Sequence, residues 1–408
     1  MGRSLKVDPD CINRVKAALH RNGFPSQQAL AIDLGFSRST VANFCNGKPV
    51  DYLNFVEASD KLGLNWQEIA LKSDSETTDA IVSNYVERPP IETICSEVIL
   101  RPGSLIRIKA PKKWGKTLLK NRLLQFSTKQ NYRTANLNLL EAEDDTLNDL
   151  DRFLRWFCIR IAKELHLPKD GVTEIWDEDD PSTTNCTMYL EEVVLESIST
   201  ALVLSIDDID RVLTYPIASN FLALLRSWHE RARVNKLWKK LRLVIVYSTD
   251  AYIPLDINRS PFNVGEPIEL PEFTVKQVLE LAKKRQVEWD LDSVEKLMQR
   301  VGGHPYLVDR AICHLKDRAG ETLENVLELA ATEAGIYRNH LRDLWLTLQE
   351  HSELAEATKA AIAATESIRL EPNITYKLYS LGVVKLDGNN VVIRCPLYRD
   401  YLGDRLNN

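Results

Sequence analysis

A short loop of this sequence carries the residue types that bind nucleotide phosphates. Gly115, Lys116 and Thr117 match the end of the phosphate-binding pattern G-x-x-x-x-G-K-[ST]. In such a loop, backbone N–H groups at a helix N-terminus surround the phosphates, the lysine reaches the β- and γ-phosphates, and the hydroxyl binds Mg²⁺. Ala110 stands where the pattern has its first glycine, and alanine costs free energy there only if the backbone needs a positive φ. The predicted nucleotide-binding residues of the loop are Ala110, Pro111, Lys112, Lys113, Trp114, Gly115, Lys116, Thr117 and Leu118.

The run ALVLSIDDID, residues 201–210, is apolar and then ends in carboxylates. At the carboxyl end of a strand near a phosphate loop, a carboxylate accepts hydrogen bonds from water on a Mg²⁺ ion. We therefore predict that Asp207 holds Mg²⁺ together with Thr117, and that Asp208 orients the attacking water. An aspartate is shorter than the glutamate of fast ATPases, so we expect slow hydrolysis. The alternative is a buried strand that ends in a solvated acidic turn.

A third run, RLVIVYSTD, is an apolar strand that ends in Ser248 and Thr249. We predict that it lies between the other two strands, where these two hydroxyls contact the γ-phosphate or the attacking water. Polar residues are common at strand ends, so this run carries less weight than the acidic one. The three elements occur in the expected order, and their combination predicts a site for ATP or ADP with Mg²⁺.

Short apolar or β-branched runs alternate with long helical stretches through the middle of the chain. This alternation predicts a mainly parallel sheet that helices cover on both faces. The helical stretches include Leu147 to Leu165 and Ala218 to Arg231. The predicted strands are Leu105–Ile108, Thr134–Leu140, Ala201–Ile206, Leu241–Tyr247 and Pro267–Leu270.

The chain divides into four predicted domains of a multidomain α/β protein. We expect an all-α helix-turn-helix domain at residues 1–75 and a P-loop nucleotide-binding core with a parallel α/β fold at residues 76–272. A helical lid at residues 273–318 and a winged-helix domain at residues 319–408 follow. The winged-helix prediction rests on a helical stretch, Leu323 to Ala364, and on the hairpin signal in VVKLDGNNVVIR after it.

The segment PSQQALAIDLGFSRSTVANFCNGKPV resembles the helix-turn-helix of repressor-like proteins. In that motif Gly35 makes the turn, and the next helix, Ser37 to Cys45, is the recognition helix. However, the first 72 residues contain nine Lys/Arg and seven Asp/Glu, a weak basic footprint for a DNA-binding domain. A helical module that binds a protein partner is therefore the alternative. The predicted DNA-binding residues are Ser37, Arg38, Ser39, Asn43, Asn46 and Lys48.

Seven segments form a recognisable set, namely YVERPPIE, PGSLIRIKAPKKWGKT, DLDRFLRWFC, SIDDIDRV, WKKLRLVIVYSTD, YIPLDINRSPFNVG and GGHPYLV. With them, the run from about Tyr85 to Tyr401 resembles the bacterial AAA-like ATPases of the STAND and origin-recognition branch of the AAA+ superfamily. In that family the position of Ala110 is regularly alanine, whereas relatives more often carry methionine or glycine at the position of Trp114. The resemblance therefore implies that the loop binds nucleotide without its first glycine.

The resemblance also implies roles for residues outside the loop. The segment that holds Tyr85 and Arg88 resembles the part that packs on adenine in such ATPases. His304 and Pro305 match a lid element in which a residue commonly contacts the phosphates, and the alternative is a helix end followed by a new helix start. Many AAA+ proteins complete their site with an arginine from a neighbouring subunit. The candidates for that arginine are Arg211, Arg231 and Arg233.

Composition limits the classes of protein that remain. The 408-residue chain has a formal net charge of -6, so any nucleic-acid contact must be a local patch. No apolar stretch approaches the roughly 20 residues of a membrane helix, and the N-terminus lacks a signal peptide's apolar core. Seven cysteines lie scattered without C-x-x-C spacing, which argues against a zinc site and against a disulfide framework. We expect a cytoplasmic protein with reduced thiols and no membrane contact.

The leading functional hypothesis is an ATP-binding, slowly hydrolysing switch that regulates DNA binding or the assembly of a partner complex through its helix-turn-helix. The alternatives are a non-enzymatic adaptor in a defence or signalling complex with a structural nucleotide, and an ATP-dependent assembly factor on DNA. The expected partners are a protein, DNA at the N-terminal domain, and further copies of the chain in a nucleotide-dependent oligomer. No appended effector or sensor domain is expected, so partners would supply that part.

Overall fold

The computed structural model describes most of the chain. Within the described ranges, no helix is long and apolar enough to span a membrane. All seven cysteines are free thiols, and only Cys11 is not fully buried. The described residues are 4–8, 11–64, 66–71, 85–248, 261–318 and 320–406.

Residues 4–71 form a small helical unit, the N-terminal unit, whose apolar side chains share one core. Ser26 caps the second helix and Ser37 caps the third, each by accepting a hydrogen bond from the backbone N–H three residues further on. Gly35 joins these two helices with a φ of 66°, a conformation that favours glycine. The elements are β1 (Ser4–Leu5), α1 (Ile12–Arg21), α2 (Gln27–Leu34), α3 (Arg38–Cys45), β2 (Val50–Asp51), α4 (Tyr52–Lys61) and α5 (Trp66–Ile69).

Residues 85–248 and 261–270 form the sheet unit. Its strands are β3 (Leu105–Lys109), β4 (Arg133–Asn138), β5 (Leu202–Asp207), β6 (Leu241–Tyr247) and β7 (Glu266–Glu269). They pair in the order β4-β5-β6-β3-β7, and every pairing is parallel. This confirms the predicted parallel sheet and places β6 between β3 and β5. The elements are α6 (Ile91–Leu100), β3 (Leu105–Lys109), α7 (Lys116–Lys129), β4 (Arg133–Asn138), α8 (Asp144–Leu147), α9 (Leu150–Leu165), α10 (Asp170–Ile175), α11 (Ser182–Met188), β5 (Leu202–Asp207), α12 (Ala218–Val234), β6 (Leu241–Tyr247) and β7 (Glu266–Glu269).

Helices cover both faces of this sheet, which explains why its central strands are mostly apolar rather than alternating apolar and polar. Every residue of β6 is buried. Leu243 and Ile245 belong to one hydrophobic cluster, together with helices α9 and α12, whereas Val244 and Val246 belong to a second cluster with α6 and α7. Successive side chains of a strand point to opposite faces, so the two clusters lie on opposite sides of the sheet.

Residues 273–406 form the C-terminal unit, in which helices and a β-hairpin share one hydrophobic cluster. The predicted hairpin is confirmed. The predicted helical stretch from Leu323 to Ala364 is wrong as a single stretch, because the chain turns tightly between the helices Leu323–Glu328 and Arg338–Gln349. A side-chain carbon on Gly335 would lie 2.2 Å from the carbonyl oxygen of Leu329. The elements are α13 (Val275–Lys284), α14 (Leu291–Val301), α15 (Pro305–Asp317), α16 (Leu323–Glu328), α17 (Arg338–Gln349), α18 (Ser352–Ala363), α19 (Pro372–Leu381), β8 (Val384–Asp387), β9 (Asn390–Ile393) and α20 (Pro396–Leu406).

Candidate functional site

The phosphate loop joins β3 to α7 at the carboxyl edge of the sheet. Gly115 precedes the helix with a φ of 90°, and Lys113 also has a positive φ of 62°. Ala110 is buried and is not among the residues with positive φ, so alanine at this position carries no backbone strain. The absence of the first glycine therefore leaves the loop geometry intact.

Lys116, the first residue of α7, is buried at the centre of the loop. Its ammonium group donates hydrogen bonds to the carbonyl oxygens of Ala110 and Pro111 and to the hydroxyl of Ser248, each at 2.8 Å. Burial lowers the pKa of Lys116 to about 8, against the opposing effect of nearby aspartates. The lysine thus joins the loop to the end of β6, as the sequence pattern predicts for a shared phosphate site.

Asp207 ends β5 and forms a buried ion pair that the sequence reading did not anticipate. Its Oδ2 atom accepts a hydrogen bond from the ammonium of Lys120 at 2.6 Å and lies 3.4 Å from the hydroxyl of Thr117. Lys120 is 1% exposed and Asp207 is 3% exposed. Lys120 is four residues after Lys116, so both lysines lie on the same face of α7. That spacing was the signal by which Lys120 could have been found.

The residues predicted to hold Mg²⁺ fit such an ion only in part. The Thr117 hydroxyl and the Asp207 carboxylate are adjacent, as the prediction requires. However, the carboxylate is already neutralised by Lys120. Among the described residues, no group of three or more histidine, cysteine or acidic side chains is arranged to hold a metal.

Asp208 follows the strand and has a left-handed backbone, with a φ of 54°. Burial, together with the charge of Asp207, raises the pKa of Asp208 to about 6. Asp210, which was not among the predicted site residues, accepts a hydrogen bond from the backbone N–H of Ser248 at 2.6 Å. It thereby fastens the end of β6 to the acidic turn after β5. Thr249 lies outside the described residues.

Trp114 is buried where the loop meets the C-terminal unit. Its ring packs edge-on against His304, with 4.2 Å between ring centroids. The guanidinium of Arg394 lies over the same ring, 4.9 Å from its centroid. A side-chain carbon on Gly382 would lie 3.9 Å from the Trp114 ring. The loop residue before Gly115 therefore connects the loop to α15 and to the hairpin region.

Arg88 and Tyr85, which the resemblance assigned to nucleotide binding, lie beside this tryptophan. Arg88 is 3% exposed and donates a hydrogen bond to the carbonyl oxygen of Trp114 at 3.0 Å. Its Nε and Nη1 atoms have no hydrogen-bond partner among the described residues. Tyr85 donates to Glu92 at 2.5 Å, and burial raises the pKa of its phenol. The unpaired nitrogens of Arg88 leave it with hydrogen bonds to give to a ligand.

A cavity of about 510 Å³ lies over the loop, within the usual size range of a ligand pocket. Residues from all three units line it. The predicted site residues that line it are Tyr85, Arg88, Lys112, Lys113, Trp114, Gly115, Lys116, Thr117, Leu118, Asp208, Ser248 and Pro305. The N-terminal unit contributes Leu34, Tyr52, Val56, Glu57, Asp60, Lys61 and Trp66.

His304 is not among the residues that line this cavity. It is buried behind Trp114, and its ring centroid lies 5.5 Å from that of His340. It precedes α15, which has Pro305 in its first turn, and Gly302 ends the helix before it with a φ of 65°. The structure therefore has the helix end and helix start of the alternative interpretation. Burial holds the pKa of His304 well below its usual value.

The N-terminal unit docks on the C-terminal unit through polar contacts. Glu57 accepts a hydrogen bond from Asn339 at 2.9 Å and pairs with Arg310 at 3.4 Å. Arg338 donates to the carbonyl oxygens of Ile32 and Asp33 at 2.8 and 2.9 Å. These contacts hold α2 and α4, which both contribute residues to the cavity lining, against the C-terminal unit.

The side chains predicted to face DNA lie on and next to α3. Ser37, Arg38, Ser39, Asn46 and Lys48 are exposed. Asn43, by contrast, is half-buried. The exposed set therefore remains accessible while the N-terminal unit is docked.

The three arginines considered for a neighbouring site are on the surface or half-buried. Arg211 pairs with Asp144, and Arg231 lies 3.6 Å from Glu191. Arg233 is exposed at the end of α12. None of the three lines the cavity over the loop.

Comparison with known proteins gives the family. The model of the AAA-like domain matches residues 74–404, and the chain belongs to this family. The fold is similar to that of the Walker-type ATPase of Pyrococcus abyssi, with a TM-score of 0.55 and 11% identity over 78% of this chain and 96% of that chain. It is also similar to the ORC2 protein of Aeropyrum pernix, solved as ADPNP-ADP complexes, with a TM-score of 0.50 and 15% identity over 80% of this chain and 96% of that chain. Comparison with curated proteins gives no match.

Proposed function

We propose that this chain is a nucleotide-controlled switch that binds ATP or ADP at the phosphate loop and hydrolyses ATP slowly. The observation that carries the proposal is the shared cavity, since the N-terminal unit and the loop line the same space. A nucleotide in that space would contact both. A ligand shifts a conformational equilibrium only through unequal binding to the two states. ATP and ADP would therefore differ in how firmly they hold the N-terminal unit in place.

The geometry of the loop supports a specific set of proposed nucleotide contacts. Lys116 exchanges its hydrogen bonds to loop carbonyls for hydrogen bonds to the β- and γ-phosphates. The Thr117 hydroxyl stands where a phosphate loop would hold a Mg²⁺ ion that neutralises phosphate charge, but Lys120 already pairs with the adjacent Asp207. Asp208 orients the attacking water, and Ser248 contacts the γ-phosphate from the end of β6. Arg88 lines the cavity and has two guanidinium nitrogens without a partner among the described residues. These N–H groups could donate hydrogen bonds to phosphate oxygens or to acceptor atoms of the base.

The N-terminal unit is the proposed output of the switch. The helix pair α2 and α3, joined at Gly35, supports a helix-turn-helix whose exposed side chains contact DNA phosphates and base edges. The helices and hairpin at the end of the C-terminal unit support a winged helix that holds the other units together rather than binding DNA. In this proposal the nucleotide state sets the position of the helix-turn-helix relative to other copies of the chain or to a partner.

The test combines nucleotide binding with DNA binding. Calorimetric titration of the full chain with ATP and ADP is expected to give saturable binding, and Lys116→Ala should weaken it by more than about tenfold. DNA affinity and oligomer size are then measured without nucleotide, with ADP and with a non-hydrolysable ATP analogue. A difference between nucleotide states supports the switch. Equal DNA affinity and equal size in all three states rule it out.

A protein-binding role for the N-terminal unit has one specific observation in its favour. Arg38 and Lys48 are the only cations among the six side chains predicted to face DNA. In the same titrations, no binding to any DNA, combined with nucleotide-dependent assembly, would favour an adaptor that binds a protein partner.

A further inference from the structure

Lys120 is a buried lysine on helix α7, next to the phosphate loop. It lies one helical turn after Lys116, and its ammonium is 2.6 Å from Oδ2 of Asp207. Both side chains are almost fully withdrawn from water. A buried charge persists only when it is paired or hydrogen-bonded. The pair is therefore a built element at the centre of the site.

Every oxygen of the Asp207 carboxylate has a partner within the protein. Oδ2 accepts from Lys120 and faces the Thr117 hydroxyl at 3.4 Å. Oδ1 accepts from the backbone N–H of Asp208 at 3.1 Å. Water on a divalent ion would have to share these oxygens with the protein donors, because each oxygen already accepts at least one hydrogen bond.

A divalent ion next to Thr117 would also stand close to the Lys120 ammonium. Like charges at such separations repel by several kcal/mol when water is excluded. If the ammonium moved away, it would lose its ion pair with Asp207 while the lysine remained buried on helix α7. The charge that a phosphate-loop site usually takes from a metal is thus already supplied by the chain.

We propose that the Lys120 ammonium takes the place of the divalent cation as the counter-charge of Asp207, so that nucleotide binds at this loop with little dependence on Mg²⁺. The inference rests on the proposed nucleotide site. Lys116 lines the cavity where the phosphates would lie, and Lys120, one turn further along α7, faces the Asp207 carboxylate behind it. The competing view is that Lys120 is only a stabilising partner of Asp207 that a metal displaces when nucleotide arrives.

The test is calorimetric titration of the full chain with ADP and with a non-hydrolysable ATP analogue, in excess EDTA and in excess Mg²⁺. For the natural chain the two dissociation constants are expected to differ by less than about threefold. Lys120→Gln keeps a hydrogen-bond donor for Asp207 but removes the charge, and it should make binding more than about tenfold tighter in Mg²⁺ than in EDTA. Lys129→Gln is the matched control, because Lys129 is exposed on the same helix.

A second readout counts the metal directly. Electron paramagnetic resonance with Mn²⁺ is expected to detect little ion bound in the nucleotide complex of the natural chain and a stronger site in Lys120→Gln. The titrations and the Mn²⁺ measurement on the natural chain do not depend on any variant. The proposal therefore stays testable if Lys120→Gln fails to fold.

The outcomes separate this inference from the proposed function. Saturable nucleotide binding that weakens more than about tenfold in EDTA overturns the role of Lys120 and leaves the nucleotide switch standing. An equal Mg²⁺ dependence in the natural chain and in Lys120→Gln also overturns it. Absence of nucleotide binding in every condition rejects the proposed function itself, and this inference with it.

Discussion

The rings of Trp114 and His304 meet edge-on, with 4.2 Å between centroids and 62° between planes. One belongs to the phosphate loop and the other to the start of α15. Arg394 adds a cation over the same tryptophan, and it is tied to Glu272 at 2.9 Å. The conformation of the loop is therefore coupled to the packing of the C-terminal unit.

We expect Trp114→Ala to lower the free energy of unfolding by about 3–5 kcal/mol, since it removes a fully buried aromatic side chain. The same change should weaken nucleotide binding, because the loop loses its support from α15. Denaturant unfolding and calorimetric titration measure the two effects. Trp156→Phe, in a half-buried tryptophan of α9, is the control. Unchanged stability of Trp114→Ala would show that the loop is held by other contacts.

Two buried histidines predict a loss of stability at acidic pH. Burial lowers the pKa values of His304 and His340 well below their usual range, and the charges of Arg394 and Lys113 act in the same direction. Near neutral pH the two imidazoles are mostly neutral in both the folded and the unfolded chain. Below a pH of about 6.5 only the unfolded chain takes up these protons, so stability falls by about 1.4 kcal/mol per pH unit for each histidine. The loss ends once the pH falls below the folded pKa values.

The pH dependence can be measured as unfolding free energy between about pH 7 and pH 5. His304→Phe removes one of the two histidines that take up a proton on unfolding, so the unfolding free energy should fall less steeply with decreasing pH, by up to about 1.4 kcal/mol per pH unit. His351→Asn, at an exposed histidine, should leave the slope unchanged. A slope that is the same in the natural chain and in His304→Phe would contradict the assignment.

Several features of the site were predictable from the sequence, for physical reasons. The strands of the sheet are buried on both faces, so Leu241–Tyr247 appears as an apolar run interrupted only by Arg242, with the bounds that the structure has. The phosphate loop has a local pattern, and it needs no distant contact to be recognised. Ala110 raised a doubt only because its φ is not visible in a sequence.

Other features depend on contacts between distant segments, and no local pattern encodes them. The four-residue spacing from Lys116 marks the helix face of Lys120, but its partner Asp207 lies 87 positions away, which no local pattern gives. The docking of α4 over the cavity joins residues separated by more than 250 positions, as in the pair of Arg310 with Asn54. The strands β1 and β2 have only two residues each, too few to show an alternating pattern.

Docking of the N-terminal unit should contribute to nucleotide affinity. Glu57→Gln weakens the contact with Arg310 and Asn339, and it leaves a buried guanidinium without its acidic partner. We expect ADP to bind about three- to tenfold more weakly, as fewer molecules hold the cavity closed. Hydrogen exchange of α4 should rise in the same variant. Glu356→Gln, at an exposed glutamate, is the control. Unchanged affinity alongside faster exchange would separate docking from nucleotide binding.

Asp208→Asn tests the slow hydrolysis. Asparagine tolerates the left-handed backbone at this position better than most residues, so the variant should keep its fold. Loss of the carboxylate should reduce single-turnover phosphate release by about 100-fold or more while nucleotide still binds. Asp145→Asn, at an exposed aspartate, should hydrolyse at the natural rate. If Asp208→Asn released phosphate at the natural rate, a residue other than Asp208 would orient the attacking water.

The last prediction concerns the exposed cations of the N-terminal unit. If the unit binds DNA, Arg38→Ala and Lys48→Ala should each weaken binding to all sequences and reduce the slope of affinity against salt concentration by about one, because each cation neutralises one phosphate. Lys61→Ala is the matched control, because Lys61 lies on α4 and is already paired with Asp33 of α2 at 2.9 Å. This variant should keep the natural dependence of DNA affinity on salt concentration. Fluorescence anisotropy with a duplex at several salt concentrations measures this. Binding that retains its salt slope in both variants would place the DNA contact on another face of the molecule.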